Sequence, residues 1–100
     1  MVKADFWANQ QEATQLKNQL ILTGNHATVR RDPVMRGLVI RAGQRLKLTG
    51  NGATVAHQVV IDLGYYLFCH HYQMPRAAFD LLVVAQGIDA AHQDDVQMIE

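Results

Sequence analysis

A chain of 100 residues, 49% of them hydrophobic, has enough material for one core and not for two, so one domain spanning residues 1–100 is expected. Its one cysteine, Cys69, excludes an internal disulfide and points to a reducing, cytoplasmic compartment. No apolar run approaches the roughly 18 residues of a membrane span, and no charged-then-apolar leader opens the chain, so neither export nor a membrane is expected.

In chain order, Phe6, Ala13, Leu16, Leu20 and Ile21 recur at helical spacing and predict a first helix over about 5–22, stopped at Gly24. Asp32-Pro33 is a capping side chain followed by a residue suited to a first turn. It opens a second helix over 33–48, with Met35, Leu38, Val39, Ala42 and Leu46 on one stripe. A third, over 54–72, carries Val55, Ala56, Val59, Val60, Leu63, Tyr66 and Leu67 on a broad face, with Ile61 and Phe68 opposite. Apolar groups on two faces predict a helix that is central or shared with another subunit. Gly64 inside it suggests close approach of a neighbouring backbone or ring. Pro75 opens a fourth helix over 75–86, with Ala78, Leu81, Leu82 and Ala85 inward and Gly87 ending it. Asp89 then caps a last, weaker helix over 89–98 through Val96, Met98 and Ile99.

One segment occurs twice. Leu20-Ile-Leu-Thr-Gly-Asn-His-Ala-Thr-Val29 returns as Leu46-Lys-Leu-Thr-Gly-Asn-Gly-Ala-Thr-Val55, 26 residues on. Glycine closes a helix by turning left-handed, and a threonine three or four positions later accepts N–H bonds at the next start, so each copy reads as helix stop, turn, restart. Two β-hairpins turning at Thr-Gly-Asn are the alternative. The helical reading gives an all-α bundle of four to five short helices.

Net charge is zero, yet the charges are sorted. Arg30, Arg31, Arg36, Arg41, Arg45 and Lys47 hold six of the nine positive charges beside a single acid, Asp32. From Leu48 onward Arg76 stands alone against Asp62, Asp80, Asp89, Asp94, Asp95 and Glu100. Either the two segments lie against each other, within a chain or across a dimer, or the basic one meets an anionic partner.

A search for chemistry returns little. The five histidines form no HxxxH frame and no CxxC exists, so no metal site is expected. His57 and His71 lie about four turns apart, too far to share an ion. His70 falls in the apolar stripe near a helix end, as a core histidine or a partner of the C-terminal dipole. In Cys69-His70-His71 adjacent side chains point apart, and a buried cysteine acting as a small hydrophobe is the simpler reading. Neither phosphate-loop glycine frame occurs, so no cofactor and no enzyme are expected.

From Leu63 to Gln86 the spacing Leu-Gly-Tyr-Tyr-Leu-Phe, then Ala78-Phe79, Leu82 and Ala85, resembles the helical hairpin of ANTAR-type RNA-binding antiterminator domains over about a quarter of the chain. Val83 stands where such hairpins have arginine and Tyr72 where they have glycine. The acidic flank would repel RNA, so the resemblance implies helical packing rather than membership.

The expected role is a non-enzymatic protein-interaction module, such as a regulator, adaptor or inhibitor, that forms a homodimer. The interface is placed at Val60, Ile61, Gly64, Tyr65, Phe68 and Tyr72. The alternative is a nucleic-acid-binding regulator whose Arg30, Arg31, Arg36, Arg41, Arg45 and Lys47 meet phosphates.

Overall fold

Both copies of the repeated segment end one helix and start another, so the chain builds helices throughout. The computed structural model describes the backbone of residues 2–99 and the side chains of residues 10–92. In order come α1 (Val2–Asn25), the single turn α2 (Ala27–Arg30), α3 (Pro33–Thr49), α4 (Gly52–Cys69) and α5 (Arg76–Ile99), with no strand among the described residues.

The copies break the helix differently. In the second, Gly50 turns left-handed (φ 64°) and donates its N–H to the Leu46 carbonyl at 2.8 Å. Asn51 then caps α4, its Oδ1 accepting from the Thr54 N–H at 3.1 Å. Asparagine, not the predicted threonine, supplies that cap. In the first copy Gly24 stays helical and α1 runs on to Asn25, with Val39 3.4 Å from where a Gly24 Cβ would stand. Thr23, fully buried there, donates its hydroxyl to the Ala77 carbonyl in the first turn of α5 at 3.1 Å, whereas Thr49 in the second copy faces solvent.

α1 packs on α3, α4 and α5, and α4 packs on α1, α3 and α5, so these two helices form the centre of the bundle. The core is one cluster. The stripe predicted for α3 is buried in full, and Val55, Ala56, Val59, Leu63 and Tyr66 carry α4 into it. Burying a side chain such as Leu16, Met35, Leu63 or Leu81 stabilises the fold by about 1.5–3 kcal/mol. Among the described side chains of α1 Ile21 is the exception: it stays half exposed, and Thr23 takes the buried position instead, while the Phe6 side chain lies outside those described.

Two glycines act otherwise than their sequence context suggests. Gly87 does not end a helix. The buried row Ala78, Leu81, Ala85 and Ile88 holds helical spacing across it, and packing outweighs the roughly 1 kcal/mol that glycine costs in a helix interior. Asp89 is therefore no cap but a residue buried within α5, while the side chains of Val96, Met98 and Ile99 lie outside those described. Gly64 has no neighbour within 4 Å of a Cβ position, so the close approach expected there is absent. It occurs at Gly52, where a Cβ would stand 2.8 Å from the Ala13 nitrogen and 3.0 Å from its Cα. α4 begins against the backbone of α1 because its first residue has no side chain.

Gly52 and Gly87 are expected to respond oppositely to alanine. Gly52→Ala forces backbone apart and is expected to lower unfolding free energy by about 1–3 kcal/mol. Gly87→Ala, on an open surface, is expected to raise it by about 1 kcal/mol. Urea unfolding of both variants checks the pair.

Candidate functional site

The buried residues of α4 occupy one arc of the helix, and its apolar residues do not fit within that arc. Ile61, Tyr65 and Phe68, at i, i+4 and i+7, line the opposite side, exposed by 49, 71 and 71%. Val60 and Gly64 flank that row, the first packed partly against the core and the second open to solvent. Tyr72, expected as the next member of the stripe, lies beyond the end of α4, in the turn to α5, and is likewise exposed. That turn contains two successive left-handed residues, His71 (φ 56°) and Tyr72 (φ 62°), a conformation that costs a non-glycine residue about 1–2 kcal/mol. The Tyr72 N–H donating to the Leu67 carbonyl at 2.6 Å holds the turn closed.

Of the aromatic group on this helix only Tyr66 turns inward, where it joins a polar cluster at the end of α4. The Asp32 carboxylate caps α3 through one oxygen, which accepts from the Val34 and Met35 N–H groups at 3.0 and 3.2 Å. Its other oxygen accepts a short hydrogen bond from the Tyr66 hydroxyl. The His70 ring stacks on Tyr66, centroids 3.9 Å apart, and its Nδ1 lies 2.8 Å from the Tyr66 carbonyl. His70 thus closes the helix from outside, as the dipole partner and not as a core histidine. Cys69, expected to be buried, is exposed at the last position of α4.

The bond from Tyr66, followed by the two backbone N–H groups, holds the Asp32 carboxyl below its ordinary value against the opposing effect of burial. Burial foremost, then the Asp32 partner, pushes the Tyr66 phenol up to about 12.

Two further ties join α5 to its neighbours. His57 Nδ1 lies 2.9 Å from Asp89 Oδ1, and His92 Nε2 lies 2.8 Å from Glu12 Oε1. Among the described residues no three His, Cys, Asp or Glu side chains group to hold a metal ion. The sequence offered no frame that pairs these residues, which lie 32 and 80 positions apart.

The basic residues do not form one patch. Arg30 and Arg31 sit at the end of α2, Arg41 and Arg45 run down one side of α3, and Arg36 and Lys47 lie on the other. All six are exposed. Arg45 to Asp62, at 3.8 Å, is the only arginine or lysine ion pair among the described side chains, so the opposite charges of the basic and acidic segments meet there alone within the described residues. No described helix is long and apolar enough to cross a membrane.

No family model, curated protein or solved structure matches the chain.

The polar cluster makes a pH-dependent contribution to stability. The raised Tyr66 value means that contribution is complete below pH 10 and is lost as pH climbs towards about 12. The lowered Asp32 value means a second contribution, present above pH 3.8, is lost on acidification. Between pH 10 and 12 the wild type is expected to lose thermal stability more steeply than Tyr66→Phe, which has no phenol to ionise. Parallel melting curves of the two proteins across that range would refute the assignment.

Proposed function

We propose that this chain is a non-enzymatic interaction module that self-associates through the outer face of α4. The supporting observation is the row Ile61, Tyr65 and Phe68 standing opposite the buried stripe, with exposed Tyr72 in the turn that follows. Aromatic rings offer about 150–250 Å² each, so three of them at seven-tenths exposure present roughly 300–500 Å² of apolar surface. That is the size of the largest patch on a typical monomer and falls short of the roughly 800 Å² per partner in a standard interface. It therefore forms the centre of an interface whose rim is polar. The row carries no charge, as interface centres generally do not. It is also nearly symmetric about Tyr65, which suits a twofold pairing of two α4 helices. The turn adds to this reading, because its two left-handed residues leave Tyr72 exposed just beyond the row.

Light scattering across a wide concentration range is the test. The wild type is expected to show a dimer that dissociates on dilution. Tyr65→Asp with Phe68→Asp is expected to stay monomeric at every concentration and to melt as the diluted, monomeric wild type does, since both residues are exposed. Leu63→Asp is expected to unfold the chain instead, because Leu63 is fully buried and a lone carboxylate there has no partner. A wild type that remains monomeric at the highest concentration overturns the proposal.

A second reading draws on the exposed basic residues, five of which have no ion pair within 4 Å among the described side chains. In it, Arg30, Arg31, Arg36, Arg41 and Lys47 meet phosphates of a nucleic acid. Affinity is then expected to fall with salt at a logarithmic slope of about 0.9 per phosphate contacted, and no retention on DNA or RNA at low salt removes this reading.

A further inference from the structure

A groove of about 610 Å³ runs between α1 and α3, away from the α4 face. Its floor is Leu20, Ile21, Val39 and Leu46, and Lys17 and Lys47 stand along it. Gly43 deepens it from the α3 side, for nothing lies within 4 Å of its Cβ position. We infer that this groove binds one single-chain anionic amphiphile of the fatty-acid class, its alkyl chain along the apolar floor and its carboxylate held by Lys17 and Lys47.

Four observations carry the inference. The volume lies within the roughly 300–1,000 Å³ of small-ligand sites. Among the described side chains the lining contains both lysines and no acid, and neither lysine has an ion pair, so the positive charge has no counterpart among them. The remaining lining is aliphatic or glycine apart from the Thr14 hydroxyl, so a polar, planar ligand such as a nucleotide would leave its donors and acceptors unmet. The length suits an alkyl chain of medium size. Along residues 13–21 of α1 the groove is about 12 Å long at 1.5 Å per residue. An extended chain advances about 3.6 Å per three bonds, so about ten carbons span that length.

Isothermal titration calorimetry with sodium decanoate below its micelle concentration tests the site, with decyltrimethylammonium as the charge-reversed control. The wild type is expected to bind one decanoate per chain saturably and the cation at least about tenfold more weakly. Gly43→Leu fills the groove from an open helix position and is expected to weaken decanoate binding by about tenfold or more without lowering the melting temperature. Should Gly43→Leu melt lower, the exposed pair Lys17→Glu with Lys47→Glu decides alone. It is expected to weaken decanoate by about tenfold and strengthen the cation. Absence of saturable binding to the wild type, cation binding equal to that of decanoate, or variants that bind as the wild type does would each overturn the inference. No residue of the groove belongs to the α4 face, so the mass measured by light scattering is independent of this outcome.

Discussion

An α-helix can turn only part of its circumference to a single core, and α4 carries more apolar side chains than that part accepts. Its inner arc, from Gly52 through Val55, Val59 and Leu63 to Tyr66, is fixed by contact with α1, α3 and α5 at once. The phase of the helix is therefore not free to change. With the inner arc occupied, Ile61, Tyr65 and Phe68 have no place inside the monomer, and rotating α4 to hide them would expose Leu63 and Val59. The surplus follows from the sequence of one helix and the size of a 100-residue core.

What locks α4 in that phase is found at its two ends. At the start, Gly52 lets the helix meet the α1 backbone at a separation no side chain would allow. At the finish, Tyr66 reaches the Asp32 carboxylate, which at the same moment caps α3. One acid therefore serves two helices, and its loss would uncap α3 and leave a phenol without its partner. The stacked His70 covers the same cluster from outside and occupies a terminal carbonyl. The geometry resembles a polar site, yet each group in it already has its partner within the fold, and no buried side-chain polar atom among those described is left over.

Much of this was legible in the sequence because it depends on local periodicity. The α3 stripe, the Asp32-Pro33 start and the α4 face follow from spacing at 3.6 residues per turn, and all stand as expected except Val60 and Leu67, which are only half-buried. The errors fall where a distant contact outweighs local preference. Gly87 reads as a stop until the buried row from Ala78 to Ile88 is seen to carry α5 past it. Gly52 reads as turn punctuation until α1 is laid against it. Cys69 reads as core because its neighbours are apolar, although only its phase on α4 determines that it faces water. The pairs His57–Asp89 and His92–Glu12 have no local signature at all, since chain separation hides them. The α1–α3 groove is of the same kind: Lys17 and Lys47 lie 30 residues apart in sequence, and Gly43 reveals its purpose only when the opposing helix is in view.

The groove and the α4 face are separate in a physical sense that bears on how they would work together. The groove is lined by α1 and α3 alone, and α4 meets those helices with its buried arc, so its exposed row points away from them. Coupling between the two would need a packed element with two alternative arrangements that both sites bias. The intervening contacts offer none. Gly52 is already at the limit of approach to Ala13, and the Asp32 carboxylate is committed on both oxygens. A ligand between α1 and α3 and a partner on α4 would then each stabilise the native state by mass action, each raising its population without changing the other's affinity. Independence of this sort suits a small module, because two surfaces can be read separately when the core between them holds one arrangement for both.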